Sequence, residues 1–261
     1  MRPLIVIAGG NAASQNIKEN ILRLESPKEH EEDFWSAPDF YMAQYPGSIV
    51  EIVPQHEAEY YVFASTHKSA SNFPSLTVHT PGNWGSADLG GKPRTLNFAY
   101  ASKVKVAAQK MLELSPSLPG WQVSVEVDHH GPSLARPVLF AEIGSTEKEW
   151  DNPLAGEIVA KAIAAAIRSR ETFPTHVGFG GTHYAPKFTP RILNGGVAMG
   201  HMISGYSLER SGADEEMVRQ AVEKNVEKIE SVLVDWKGIR KEAKDQLVKT
   251  LESAGIKWGK A

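Results

Sequence analysis

Strand-like and helix-like stretches alternate along this 261-residue chain. That alternation predicts an α/β layered fold: a mixed, largely parallel sheet flanked by helices. Two further observations agree. Short continuous apolar runs (Pro3 to Ala8, Pro137 to Ile143, Val197 to Ser204) have the pattern of strands covered on both faces. Between them lie stretches with apolar residues at helical spacing. We find no repeat, no low-complexity tract and no linker. The chain is read as one α/β domain, 1–261, with a C-terminal helical segment over 212–258.

In order, Pro3 to Ala8 is a strand that turns at Gly9-Gly10-Asn11 into a helix over Ala12 to Leu24. The glycine pair is not a GxGxxG fingerprint and reads as a plain strand-to-helix turn. Glu25 to Asp33 is expected to be a charged loop. Ile49 to Val53 and Glu59 to Ser65 are expected strands, the second running into the hydroxyl-rich loop Ser65 to Ser71. Pro74 to Thr80 is a strand closed by the turn Pro81 to Gly85. A helix is expected over Leu96 to Leu114, stopped by Ser115 to Gly120. Trp121 to Asp128 alternates cleanly: Trp121, Val123, Val125 and Val127 on one face, Gln122, Ser124, Glu126 and Asp128 on the other. Pro137 to Ile143 is a buried strand read as its neighbour. Asn152 or Asp151 caps a helix with Pro153 in its first turn, running to about Arg170. His176 to Gly181 and Val197 to Ser204 are strands. Asp214 to Trp236 and Arg240 to Ala254 are expected amphipathic helices, the second stopped by Gly255.

Composition narrows the function classes. At 41% apolar and 23% charged, the chain has the make-up of an ordinary globular protein. There is no cysteine, so neither a disulfide framework nor a thiolate metal site is expected, and any metal must be held by His, Asp or Glu. A net charge of −3 disfavours a protein that coats nucleic acid, while leaving room for a local basic patch. No apolar run approaches the roughly 20 residues of a membrane span. The N-terminus reads as a first strand rather than a signal peptide. A cytoplasmic location is expected.

Four histidine-bearing segments stand at the ends of expected strands: His67, His79, His129-His130 and His183. In open α/β sheets ligands gather beyond the carboxyl ends of the strands. Imidazoles delivered to one such edge, with Glu142 and His201 inside neighbouring runs, point to a hydrolytic metal site of His and carboxylate ligands. Taken singly, each histidine is better explained as a satisfied loop or core residue; four together at equivalent strand ends are not. Glu142 sits within Leu-Phe-Ala-Glu-Ile, where an unpaired carboxylate would cost roughly 2–5 kcal/mol, so it is expected to hold a metal or a hydrogen-bonding partner. Asp128 is expected to orient a histidine. Glu126 and the Glu147-Lys148-Glu149 turn are expected at the surface. Ser69 and Ser71 lie in no nucleophile elbow.

The strings Ala64-Ser-Thr-His-Lys-Ser-Ala-Ser71, Leu76-Thr-Val-His-Thr-Pro-Gly-Asn-Trp84 and Val127-Asp-His-His-Gly-Pro132 resemble the archaeal and plant type of D-aminoacyl-tRNA deacylase. So do Ala141-Glu-Ile-Gly-Ser145, Val177-Gly-Phe-Gly-Gly-Thr-His-Tyr184 and Gly200-His201, and the likeness spans about residues 1–235. It implies a zinc-containing enzyme that hydrolyses the ester joining a D-amino acid, D-tyrosine for example, to the 3′ end of tRNA. It also implies a fold similar to peptidyl-tRNA hydrolases and nucleoside phosphorylases. On this basis the catalytic candidates are His67, His129, His130, Glu142 and His183. The zinc candidates are the same five with His201, with the actual ligand set left open. Lys68, Lys92, Arg94, Lys187 and Arg191 are the candidate contacts to tRNA phosphates. A monomer or small homo-oligomer is expected. The competing readings are a zinc amidohydrolase acting on a small N-acyl or peptide substrate, and a non-catalytic RNA- or metal-binding module.

Overall fold

The computed structural model describes residues 1–70 and 72–261; Ser71, at the end of the hydroxyl-rich loop, lies outside the described residues. In chain order the elements begin β1 (Leu4–Ala8), α1 (Ala12–Glu25), β2 (Lys28–Glu31), β3 (Phe34–Ser36), β4 (Tyr41–Tyr45), β5 (Tyr61–Lys68), β6 (Ser75–His79), β7 (Gly82–Asn83), β8 (Thr95–Leu96) and α2 (Ala101–Leu114). They continue with β9 (Gln122–Val125), β10 (Val138–Ser145), α3 (Glu147–Trp150), α4 (Pro153–Arg168), β11 (Thr175–Phe179), α5 (Thr189–Leu193) and β12 (Ala198–Ile203). The last are α6 (Gly205–Ser211), α7 (Glu215–Glu223), β13 (Ile229–Val234), α8 (Lys241–Ser253) and β14 (Trp258–Lys260).

Two sheets carry the site. The larger has eight strands in the order β2-β3-β4-β1-β5-β10-β6-β9, and the smaller has four in the order β12-β11-β13-β14. β4, β1, β5 and β10 run parallel, and so do all four strands of the smaller sheet. β6 runs antiparallel to β10 and parallel to β9. This is the mixed, largely parallel α/β fold expected from the sequence.

Helix starts follow their caps. Asn11 accepts from Ser14 N at 2.9 Å to begin α1, and Asn152 accepts from Leu154 N and Ala155 N to begin α4. On one face of the larger sheet, Ile5, Ile7, Val62, Ala64, Leu139 and Ala141 pack beneath α1, α2 and α4. On the other face, Phe63 and Phe140 stack at 4.7 Å beneath Ile49, Ile52 and Ala58. One step further along the strands this second face turns polar. In register, Glu142 lies opposite Ser65 on β5 and Thr77 on β6, and His67 and His79 follow on the same face.

Several expectations are corrected. Glu25 to Asp33 is not only loop, since Lys28–Glu31 pairs with Phe34–Ser36 as a hairpin. Ile49 to Val53 forms no strand. β5 runs on to Lys68, so His67 is a strand residue rather than a loop residue. Helix α2 starts at Ala101, because Leu96 is taken by a ladder with Gly82. The helix expected over Asp214 to Trp236 ends at Glu223. Its second half is strand β13, whose β-branched Ile229, Val232 and Val234 join a parallel sheet between β11 and β14. The C-terminal segment is thus helix, strand, helix and strand. β9 and β10 are not neighbours, because β6 lies between them. Glu147-Lys148-Glu149 is no solvated turn. It forms α3 behind a capping box with Thr146, and Glu149 is buried.

Candidate active site

The site is built where the chain crosses from one sheet to the other. After Val125 the backbone leaves the ladder of β9. Glu126 N still donates to Val78 O, but Val127 N donates to His183 O at 3.0 Å and Asp128 N to Met202 O at 2.8 Å, both on the smaller sheet's side. The strip Glu126 to His130 is therefore stitched to both sheets. His130 has φ +50°, a left-handed conformation that non-glycine residues adopt at some cost. The next residue must be glycine, because a Cβ on Gly131 would overlap the backbones of Val50, Gly90 and Gly91.

This crossing overturns two expectations. Glu126 is not at the surface: it is 1% exposed, at the centre of the cluster. The histidines do not share one edge of strand ends either. β6 is antiparallel to β10, so His79 lies level with Phe140 and His67 level with Gly144, flanking Glu142 from opposite directions. A Cβ on Gly144 would fall 2.7 Å from His67 Cδ2, so the glycine is what admits the His67 ring.

Around Glu126 the imidazoles close in. His67 Nδ1 lies 3.0 Å from Oε1, while His79 Nδ1, His129 Nε2 and His183 Nε2 lie 3.4, 3.6 and 3.4 Å from Oε2. Glu142 Oε2 is 3.7 Å from both His67 Nδ1 and His79 Nδ1. Despite these short approaches neither oxygen of Glu126, nor Nδ1 of His79, has an aligned hydrogen-bond partner. The contacts are charge proximity without closure.

The fixed partners assign the protons. His129 Nδ1 faces Val127 O at 2.8 Å and His130 Nδ1 faces Gly131 O at 2.6 Å; a carbonyl only accepts, so both Nδ1 atoms carry hydrogen. Burial lowers the pKa of His129, and burial, with the neighbouring His129 opposing a second proton, takes His130 down to about 3. With these rings neutral, their Nε2 atoms hold bare lone pairs. His79 Nε2, 3.3 Å from His130 Nε2, must then be the donor, which leaves His79 Nδ1 bare. Burial and the neighbouring His129 hold His79 well below its usual range. Oε2 of Glu126 therefore faces lone pairs of His79 and His129, a set of acceptors that a bound cation or a proton on the carboxyl group would reconcile.

The two carboxylates and His67 complete the balance. Burial pushes both glutamates up. For Glu126 the adjacent His183 and the charged His67 outweigh burial and bring it well below the carboxylate range. For Glu142 burial prevails over His67 and the pKa is raised. Burial would lower His67, but Glu126 and Glu142 hold it at about 11. His67 is thus an imidazolium at neutral pH: Nε2 donates to Tyr184 OH at 2.9 Å, which donates to Ser69 Oγ at 2.9 Å. Two neighbouring carboxyl groups with pKa values driven apart are what acid–base chemistry requires.

His67, His129, His130, His183 and Glu142 are thus brought together, and His79 and Glu126 join them. Three sets of donor atoms lie within 4.8 Å of one another: His79, His129 and His130; His67, Glu126 and His183; His79, Glu126 and Glu142. His201 is not among them. Its Nδ1 meets Asp128 Oδ2 at 2.5 Å and its Nε2 donates to Lys224 O at 2.9 Å, so neither nitrogen is left to ligate metal. Asp128 does hold a histidine, though this one lies outside the cluster. Of the expected tRNA contacts, Lys68, Lys92, Lys187 and Arg191 are exposed, whereas Arg94 is paired with Asp214 at 2.8 Å and Glu216 at 3.1 Å. Glu126 could have been found from the sequence: it shares its strand face with Asp128, and a tight Gly-Pro break follows.

Comparison with known proteins agrees with the geometry. Residues 54–259 match the D-aminoacyl-tRNA deacylase family. Proteins named D-aminoacyl-tRNA deacylase include one from Pyrococcus furiosus, 45% identical over 74% of this chain and 70% of that protein. Another, from Thermococcus kodakarensis, is 37% identical over 94% of this chain and 95% of its own length. A crystal structure described as a conserved protein of unknown function superposes with a TM-score of 0.90 at 32% identity, covering 99% of this chain and 95% of that one. This kinship makes the chain a member of the D-aminoacyl-tRNA deacylase family.

Proposed function

We propose that this protein hydrolyses the ester of D-aminoacyl-tRNA, releasing the D-amino acid and free tRNA in the cytoplasm, with zinc bound in the histidine–glutamate cluster. The observation that carries the reading is Glu126, fully buried and without an aligned donor, facing bare imidazole lone pairs. His79, Glu126 and Glu142, whose donor atoms lie within 4.8 Å of one another, would hold the metal, with His129 Nε2 beside them at 3.6 Å from Glu126. When bound, zinc lowers the pKa of water and polarises a carbonyl.

The chain's own groups supply the rest. Hydrolysis adds water across the ester: hydroxide joins the carbonyl carbon, the bond to the ribose oxygen breaks, and that oxygen takes a proton. His183, with 32% of its side chain exposed, is reached by solvent and can take the proton from water. His67 enters the reaction already charged and can deliver a proton toward the leaving oxygen through Tyr184. An aminoacyl ester is activated enough for this without a covalent intermediate, so Ser69 need not act as a nucleophile.

The test is release of D-tyrosine from D-Tyr-tRNA, beside L-Tyr-tRNA, before and after chelation and with His129→Ala, His183→Ala and Glu126→Gln. Loss in each case is expected, and full activity throughout would sink the assignment. The amidohydrolase reading is not favoured by the family match. It also predicts a substrate affinity indifferent to salt, whereas phosphate contacts make tRNA binding salt-dependent.

A further inference from the structure

A cleft of about 240 Å³ opens directly on His129 and His130. Its walls include Leu89 of the loop after β7 and Tyr206 and Arg210 of α6. Leu89 is 63% and Tyr206 44% exposed. Single exposed apolar side chains are common, but two lining one cleft beside a cluster of titratable groups make an apolar slot. Tyr206 and Arg210 are four residues apart on the helix, so both face the same way. Among the described residues Arg210 has no carboxylate partner, unlike Arg94, Arg219 and Arg240. The nearby acidic group, Asp88, is held by the Ser86 hydroxyl at 2.9 Å.

Size and charge select the occupant. The volume lies below the roughly 300–1,000 Å³ of drug-sized ligand sites, enough for one nucleoside rather than a stretch of chain. With Asp128 closed by His201 and Met202, the one guanidinium is set against the Asp88 carboxylate, which suits a single phosphate rather than a polyphosphate. Flat aromatic faces hold nucleic-acid bases by stacking, whatever the base. The larger cavity of about 500 Å³ beside Lys68, Glu147 and Trp150 is lined by none of the clustered histidines or glutamates. In an aminoacyl-tRNA the ester and the terminal base share one ribose, so the slot that takes the base must adjoin the reacting groups.

We propose that this cleft seats the 3′-terminal nucleotide of the tRNA. The base stacks on Tyr206 against Leu89, the 5′-phosphate meets Arg210, and the ribose turns its ester toward His129 and His130. The inference rests on the deacylase reading and adds a nucleotide-specific subsite to it.

The experiment measures kcat and KM on D-Tyr-tRNA, with adenosine and AMP as competitive inhibitors, for the wild type and for Tyr206→Ala, Tyr206→Phe, Leu89→Ala and Arg210→Ala. Tyr206→Ala is expected to raise KM and the inhibition constants of both adenosine and AMP by roughly 10- to 100-fold, with kcat nearly kept. Tyr206→Phe keeps the ring and should match the wild type. Leu89→Ala, on the loop after β7, should weaken both inhibitors even if the Tyr206→Ala helix does not fold. Arg210→Ala should weaken AMP several-fold and leave adenosine alone. Wild-type constants in folded Tyr206→Ala and in Leu89→Ala would overturn the subsite while leaving the deacylase reading intact. A wild-type protein inert on D-Tyr-tRNA would overturn both.

Discussion

Glu126 and Asp128 are two residues apart on one strip of chain, and both are buried, 1% and 5% exposed. Asp128 is closed: Oδ1 accepts from Met202 N at 2.8 Å, Oδ2 meets His201 Nδ1 at 2.5 Å, and His201 in turn donates to Lys224 O. Glu126 is open: four imidazole nitrogens come within 3.6 Å and none makes an aligned hydrogen bond. Burial alone therefore does not distinguish a structural carboxylate from a functional one. Closure does, because a buried acceptor left unmatched costs free energy that a ligand can recover.

The comparison breaks most sharply by substitution. Glu126→Gln keeps the shape and removes the charge. It should lower kcat/KM by roughly 10²- to 10³-fold, abolish zinc uptake in a calorimetric titration, and shift the thermal midpoint of the metal-free protein less than Asp128→Asn does. Asp128→Asn should do the reverse in rank. It leaves a buried histidine mispaired and should cost about 1–3 kcal/mol of stability, read from urea unfolding. Its activity loss, roughly 10- to 100-fold, would come through the misplaced Glu126 and His129. If both variants lose mainly stability, Glu126 is structural and the distinction fails.

Acid should probe the open cluster next. His79, His129 and His130 have native pKa values below the ordinary 6.5, His130 at about 3. Below that ordinary value the unfolded chain binds protons that the folded rings refuse, so stability is full above pH 6.5 and falls as pH drops toward 3. Each such proton contributes about 1.4 kcal/mol per pH unit. Glu126, also lowered, adds loss of the same sign further down. Glu142, raised by burial, works against it as one proton against three. His67, held at about 11, contributes fully below the ordinary 6.5 and loses that contribution progressively as pH rises from there to its own value, so it offsets only the first, small part of the acid loss. The urea midpoint of metal-free protein should therefore drop between pH 7 and pH 5. A flat midpoint would mean that the rings already carry protons when folded.

How much of this can be read from the sequence follows from what each pattern encodes. Glu142 within an apolar run announces a buried carboxylate, because a strand of that kind is covered on both faces. The alternation from Trp121 correctly separates Val125 from Glu126, but a period of two says which residues share a face and not whether that face is wet. The face carrying Glu126 is covered by the segment ending β11 and by β12, and neither contact is local in sequence. His67, His79, His129, His130 and His183 are readable as a group. Their arrangement is not, because the antiparallel insertion of β6 depends on strand order, which spacing does not encode. β13 reads as helix because Val218, Ala221, Ile229 and Val232 fit a helical stripe as long as the break at Lys224 is ignored.

The smallest effects concern the exposed cations, and they carry the same contrast between open and closed groups to the surface. Arg94 is closed by Asp214 and Glu216, while among the described residues Lys187 and Arg191 have no carboxylate within salt-bridge distance. Lys187→Ala and Arg191→Ala should each raise KM for D-Tyr-tRNA a few-fold and reduce the slope of log KM against log salt by about 0.7–0.9 for each phosphate no longer neutralised. Arg94→Ala should leave KM and slope unchanged and cost no more than about 1 kcal/mol of stability, since its ion pairs are solvent-exposed. A salt slope that responds to Arg94→Ala and not to Lys187→Ala would mean that the tRNA exchanges partners with Asp214 and Glu216 on docking. The acceptor end would then approach across α7 rather than past the loop that carries His183.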